Sequence, residues 1–468
     1  MNLSYILPTQ LLLIFLTSSF VYSNPSMVYD LYPNGNSSEP TGLTVFNSQL
    51  FFAATDGTTG IELWRYNDLG APLLVADINP TGDSYPRSFA IFNSKLYFSA
   101  YDRINGRELW VFDGTNAPTM VADINTIVAD IYTGGSSIPS GLTVYNSKLY
   151  FSADDGINGT ELWVYDGVNP PSMVANINPN QDINDPNYGN SDPRNLKVYN
   201  SKLYFSANDG SNGSELWVYD GVNPPSMVAN INPESYVYDG GSYMSQGSSE
   251  PSSLTIFKSK LYFSANDGTN GAELWVYDGN TTPTMAADIN PDAYYYEPSY
   301  GDFNGCSFPS NMTEFNSKLY FSADDGTNGA ELWVYDGVSP PKMLANINTD
   351  PYVIYKGGAN GFSYPSDFIV FNSKLYFSAS EGYNGNGREI WVYDGVNPPS
   401  LFADIYPGND NASSNPSYLT EYNYNLYFSA DNGVSGRELW VYKTPRPPAP
   451  EPKSITPILY ILLKQPES

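Results

Sequence analysis

Residues Leu142 to Ile177 read LTVYNSKLYFSADDGINGTELWVYDGVNPPSMVANI. Four apolar runs stand in this stretch: Leu142 to Tyr145, Leu149 to Ala153, Glu161 to Tyr165 and Met173 to Ile177. Each has four or five residues, is rich in β-branched and aromatic side chains, and has no helical period. Such runs predict β-strands. Asn146-Ser147-Lys148, Asp155-Gly156 and Asn169-Pro170-Pro171 separate them, and these residues favour turns because they accept left-handed backbone or fix φ. The stretch therefore predicts one small antiparallel sheet, with strands lettered a to d in chain order.

The same stretch recurs along the chain. All eight tryptophans (Trp64, Trp110, Trp163, Trp217, Trp275, Trp333, Trp391 and Trp440) follow Glu-Leu, except that Trp391 follows Glu389-Ile390. From the strand a aromatic (Phe46, Phe92, Tyr145 and so on) to the Ala of strand b is always 8 residues. From that Ala to the Trp is 10 residues in seven units, and 12 only from Ala379 to Trp391. The length variation is almost all in the d-to-a stretch, which runs 15, 22, 23, 27, 27, 25 and 18 residues. Four strands per unit of about 40–50 residues is the signature of a β-propeller blade.

The two ends set the blade count. The last unit stops at Val441-Tyr442-Lys443 and has no strand d, whereas Ser26-Met27-Val28-Tyr29-Asp30-Leu31 precedes the first strand a. That segment is a copy of the missing strand, and pairing it into the last blade removes the exposed sheet edges. The expected architecture is all-β, an eight-bladed propeller over residues 24–443 closed by an N-terminal strand. A linear β-solenoid would need no displaced strand.

Composition excludes several chemistries. With 49 acidic and 21 basic residues the net charge is −28, so nucleic acid is not an expected partner. The absence of histidine removes Ser-His-Asp and Cys-His catalysis and histidine zinc sites. A single cysteine, Cys306, allows no internal disulfide.

Units such as Ser152-Ala153-Asp154-Asp155-Gly156 through Glu161-Leu162-Trp163-Val164-Tyr165-Asp166-Gly167 resemble the ELWxxDGT repeat family over nearly the whole chain, from about Met27 to Lys443. The resemblance implies a propeller-like, secreted or surface-associated protein, with no common biochemical activity. The spacing Ala153, Asp155, Gly159, Trp163 also resembles the tryptophan-docking motif of eight-bladed quinoprotein propellers. Asn432 replaces the Asp in the eighth unit, and the seventh departs by two residues. This likeness supports blade packing. It does not extend to quinone chemistry, because the adjacent-cysteine disulfide is missing and no cofactor site stands out.

An aromatic and a carboxylate in every unit could make eight equivalent sugar pockets. Blade-to-blade packing requires the same identity in every unit, so the tryptophans are expected to wedge between blades. Asp154, Asp155 and Asn158 offer oxygen ligands for calcium, but they lack the Asp-x-Asp-x-Asp-Gly spacing, and no metal or other cofactor is expected. The three longest d-to-a loops are consecutive. They carry Tyr236, Tyr238 and Tyr243, then Tyr294, Tyr295, Tyr296 and Tyr300, then Tyr352, Tyr355 and Tyr364. Tyrosine supplies rigid contact area with a hydroxyl, so these are the candidate ligand-binding residues.

Residues 1–23 read as a signal peptide, with an apolar stretch from Ile6 to Tyr22 and small residues near Ser23, although the n-region lacks Lys and Arg. Sequons at Asn36, Asn158, Asn212, Asn280, Asn311 and Asn411 are possible N-glycosylation sites; Asn158 and Asn212 also read as turn residues. Residues 444–468 form a Pro-rich tail with a short apolar segment, Ile455 to Leu463, far below the ~20 residues that span a bilayer. The sequence thus points to a secreted or cell-surface binding and adhesion module, without enzymatic activity, that recognises an extracellular protein or glycan. The alternatives are a propeller enzyme acting on glycans through paired carboxylates, and a structural matrix or coat protein.

Overall fold

The computed structural model describes residues 24–126, 135–180, 189–233, 235–237, 244–291, 305–349, 351–352, 359–382, 385–408 and 412–444. Among them stand eight four-stranded antiparallel sheets, each a blade; in seven the strands a to d are consecutive in the chain. Blade 3 is typical: Ser140–Tyr145, Lys148–Asp154, Thr160–Tyr165 and Ser172–Ala175. Strand d is shorter than the apolar run suggested, because Asn176 and Ile177 leave the ladder to serve a different contact described below. The expected eight-bladed propeller is the fold found.

Closure is also as expected. Ser26–Tyr29 pairs antiparallel with Arg437–Tyr442, so blade 8 combines the first strand of the described chain with its last three. Val28 and Leu31 pack into the core shared by blades 8 and 1, and Met27 into the core shared by blades 7 and 8.

The sequence shapes each blade by alternation. On strand b, Leu149, Tyr150, Phe151, Ser152 and Ala153 are all buried, because both faces of a blade meet a neighbour. Every interblade core has the same parts. Trp163 of blade 3 joins Phe92, Tyr97 and Leu109 of blade 2, and Trp275 of blade 5 joins Tyr199, Tyr204 and Leu216 of blade 4. Burying one such Leu or Phe stabilises the contact by about 1.5–3 kcal/mol. The a–b connection is a two-residue turn with both central residues left-handed, Asn146 at φ 44° and Ser147 at φ 55°, which matches the twist of the flanking strands.

Strands a form the inner ring around the axis, and strands d the rim. The d–a and b–c connections share one face, here the upper; the a–b and c–d turns share the other. Six lysines at one register position (Lys95, Lys148, Lys202, Lys260, Lys318 and Lys374) begin strand b and so lie on the lower face.

Candidate functional site

The glutamate before each Leu-Trp (Ile-Trp in blade 7) is completely buried in all eight blades. Glu161 shows what holds it. Its Oε2 accepts from the Ile177 backbone N–H at 2.9 Å and from Ser191 Oγ at 2.6 Å, and its Oε1 accepts from the Asn178 N–H at 3.2 Å. Ser191 belongs to the segment entering blade 4, so the carboxylate fastens one blade to the entry of the next. The ring closes with the same contact: Glu438 of blade 8 accepts from Ser38 Oγ, from the Ser38 N–H at 3.1 Å and from the Leu31 N–H at 3.1 Å. Burial pushes the carboxyls of Glu62, Glu108, Glu161, Glu273, Glu331 and Glu438 up to about 7, and moves Glu215 and Glu389 in the same direction. Both protonation states fit. A neutral Glu161 can donate to Ser191 Oγ, which then donates to the Thr160 carbonyl 3.2 Å away.

The clamped serine is always eight residues before the strand a aromatic and always opens a Ser-x-Pro triplet. The serines (Ser38, Ser84, Ser137, Ser191, Ser249, Ser307, Ser363 and Ser414) are buried, and so is each following proline. The residue between them differs around the ring: Glu39, Tyr85, Ile138, Asp192, Glu250, Phe308, Tyr364 and Asn415. All eight adopt left-handed backbone, with φ from 43° to 50°. Each donates its N–H to the carbonyl just before the clamp glutamate, as Tyr85 does to Ile61 at 3.0 Å. Left-handed backbone is a genuine outlier for isoleucine, phenylalanine and tyrosine, and such strain persists only where the surroundings impose it. The side chain is thereby turned outward: Tyr85 is 48% exposed, Ile138 49%, Phe308 65% and Tyr364 56%. Phe362 stacks on Tyr364 with ring centroids 5.0 Å apart and 13° between planes.

Three residues further on, a second ring of left-handed residues opens strand a: Gly42, Ser88, Gly141, Asn195, Ser253, Asn311, Asp367 and Tyr418. Here the a–b register slips, for example between Ser140 and Thr143, as at a β-bulge. Three adjoining cavities of about 440, 440 and 390 Å³ surround the axial mouth, lined by this ring and the one or two residues after it in each blade. Asp367 is the one carboxylate among these lining residues; its Oδ1 accepts from the Tyr418 N–H at 2.8 Å and its Oδ2 from Ser366 Oγ at 3.0 Å. A pair of acids of the kind glycan hydrolysis uses is not among them.

Each tryptophan marked in the sequence packs against the preceding blade, seven of them 5–8% exposed and Trp110 half-buried. Their indole N–H groups have no hydrogen-bond partner among the described residues. Asp154, Asp155 and Asn158 are engaged as turn residues: Asp155 accepts from the Ile157 and Asn158 N–H groups and from the Asn158 side-chain amide, and Asp154 from the Gly156 N–H. Asn212 repeats the Asn158 arrangement with Asp209, and Asn105, Asn270 and Asn328 do so although none of them begins a sequon. Asn36, Asn280 and Asn311 are exposed, and Asn411 lies outside the described residues. Of the candidate tyrosines, Tyr364 is a Ser-x-Pro residue. Tyr236 lies in Ser235–Val237, paired with Met244–Gln246, and Tyr352 in Pro351–Tyr352, paired with Ala359–Asn360. Tyr238, Tyr243, Tyr294, Tyr295, Tyr296, Tyr300 and Tyr355 lie outside the described residues, as do 1–23 and 445–468.

The Ser-x-Pro ring went unrecognised in the sequence because it sits inside the stretch whose total length varies. Its fixed distance from strand a was a sufficient signal. The same segment accounts for Cys306. Its Sγ accepts from the Ala272 N–H at 3.3 Å, the place taken by Ser136 Oγ with Arg107 and by Asn190 Oδ1 with Thr160 in other blades.

No family model matches this chain, and no curated protein matches it. Solved structures resemble it only at low identity and low TM-score. A computationally designed protein, Ika8, is 15% identical, with 88% of this chain and 98% of that chain covered and a TM-score of 0.46. A puromycin hydrolase is 11% identical over 86% of this chain at a TM-score of 0.46, and the chain spans 60% of the hydrolase. A lectin from Burkholderia pseudomallei is 10% identical, with 78% and 98% covered, at a TM-score of 0.44.

Proposed function

We propose that the protein is a secreted or cell-surface binding and adhesion module whose upper face recognises an extracellular protein or glycan. The observation that carries this reading is the Ser-x-Pro ring. Eight identical clamps hold side chains of six different types, in strained backbone, out of the fold and toward solvent on one face. A purely structural ring would accept glycine or asparagine at every such position, since those residues adopt left-handed backbone at little cost. Tyr, Phe and Ile there supply exposed contact area on a rigid base, with the long d–a loops and their tyrosines beside them.

The test follows from the same physics. Replacing Tyr85, Phe308 and Tyr364 together by asparagine should keep the fold, because Asn415 already occupies the equivalent place in blade 8. Binding to native extracellular protein and glycan preparations should fall by thirtyfold or more, the equivalent of ~2 kcal/mol. Replacing the exposed lower-face Val168, Val222 and Val338 by asparagine should leave it unchanged. Equal binding by both triple variants removes this ring from the recognition surface.

A further inference from the structure

In an eightfold repeat, a position filled alike in most blades serves the scaffold, and a charge that appears there in one blade alone calls for another reason. The residue two places after the axial ring is Thr44, Thr143, Thr255, Thr313 or Thr420 in five blades, Ala90 and Ile369 in two, and Lys197 in blade 4. The threonines of blades 1, 3, 5 and 8 hydrogen-bond back to the ring residue's own carbonyl, as Thr143 does to Gly141 at 2.9 Å. Lys197 has no hydroxyl at that place to make this short bond. It is half-buried, lines one of the 440 Å³ axial cavities, and its ammonium has no hydrogen bond or ion pair among the described residues. The same cavity carries the Asn195 and Asn311 amides and, from blade 7, Asp367 and Phe368.

We propose that this part of the axial mouth is a subsite for a single acidic sugar residue, one bearing a carboxylate or sulfate. The proposal rests on reading the upper face as a recognition surface. The Lys197 ammonium would take the anionic group through a charge-assisted hydrogen bond. The asparagine amides and the Asp367 carboxylate would meet ring hydroxyls, and Leu196, Met312 and Phe368 would cover the apolar ring face. A cavity of this size suits one or two sugar rings. The chain's charge of −28 repels a polyanion at long range, so the chemistry favours one anionic group on an otherwise neutral glycan over a densely charged chain.

The decisive variant is Lys197→Thr, which gives blade 4 the residue of five sister blades and so keeps the fold. Calorimetric titration would compare a glucuronate-terminated oligosaccharide with its glucose-terminated counterpart. The native chain should prefer the glucuronate probe, less so at higher ionic strength. Lys197→Thr should weaken that probe about tenfold and leave the neutral one unchanged; Lys197→Arg should retain the preference. Equal affinity for the two probes, no affinity for either, or an unaltered preference in Lys197→Thr overturns the subsite. A chain that adheres to native extracellular material yet ignores the glucuronate probe loses this subsite while the binding role of the face stands; failure of both assays removes both.

Discussion

At the scale of single residues, the clamp glutamate is tightly constrained: it is fully buried and hydrogen-bonded at both oxygens. The Glu161 carboxylate accepts from the Ile177 and Asn178 N–H groups and the Ser191 hydroxyl, and neither of its oxygen atoms is solvent-exposed. Glu161→Gln keeps the volume but sets an amide NH₂ against one of those donors, whichever way the amide is placed. Leaving a buried donor unpaired costs about 1–3 kcal/mol, so this variant should lose about 2 kcal/mol in denaturant unfolding. An unchanged midpoint would mean the clamp contributes nothing to stability. The glycines of the b–c turns are constrained in a different way. A Cβ at Gly213, where φ is +70°, would lie 2.0 Å from the Gly247 carbonyl oxygen, whereas Gly70 has the same φ and open space around it. Gly213→Ala should therefore cost well over 2 kcal/mol, and Gly70→Ala only about 1 kcal/mol, the ordinary penalty of left-handed backbone for a residue with a Cβ. Comparable melting temperatures for the two variants would contradict the close approach at Gly213.

At the scale of elements, the N-terminal strand is the one piece of a blade that is remote in sequence. It brings Met27, Val28 and Leu31 to two cores, and the Leu31 N–H to Glu438. Deleting residues 24–35 exposes the edge of Arg437–Tyr442 and leaves blade 8 with three strands. The loss should be roughly 3–6 kcal/mol from apolar burial alone. A truncated chain that unfolds at the same denaturant concentration as the chain starting at Asn24 would refute closure as a source of stability. The d–a connections are built on opposite terms. Their final residues, Ser-x-Pro, are bound into the frame from both sides, since each serine also gives its carbonyl to the next blade, as Ser137 does to the Asp154 N–H at 2.9 Å. Length can vary before that point without moving the strand that follows.

For the molecule as a whole, eight buried carboxyls titrate together. Their pKa values lie above the ordinary 4.5, at about 7 for six of them, so between those pH values the folded chain holds protons that the unfolded chain has released. Raising the pH through that window therefore disfavours folding, and stability should fall from about pH 5 to about pH 7 and then level off. Repulsion within a chain of charge −28 acts in the same direction. The lower-face aspartates set the acid limit, because hydrogen bonds from Asn169 and its neighbours hold Asp166 at about 2, with Asp113, Asp220 and Asp394 also lowered. Those bonds are lost only below about pH 4. Thermal melts across this range should give a maximum near pH 5; a Tm that rises steadily from pH 5 to pH 8 would show that the clamp carboxyls are ionised throughout.

The blade, the count of eight and the closing strand were legible in the sequence because they depend on local pattern. Alternating apolar runs such as Leu149 to Ala153 fix strands, Asn146-Ser147 fixes a turn, and a missing strand d at one end with its copy at the other fixes closure. The packing place of Trp163 followed from the repeat itself, since identity in every unit is what neighbour contacts demand. What joins residues far apart in sequence did not show in that way. The carboxylate of Glu161 meets Ser191 across 30 residues of variable connection, and Lys197 shares a cavity with Asp367, 170 positions away, only because eight first strands converge on one axis. The left-handed turn that presents Tyr364 is likewise imposed from outside, since tyrosine by itself prefers other backbone. Local preference determined the blade; the closing of the ring decided which blade-specific side chains face one another at its mouth.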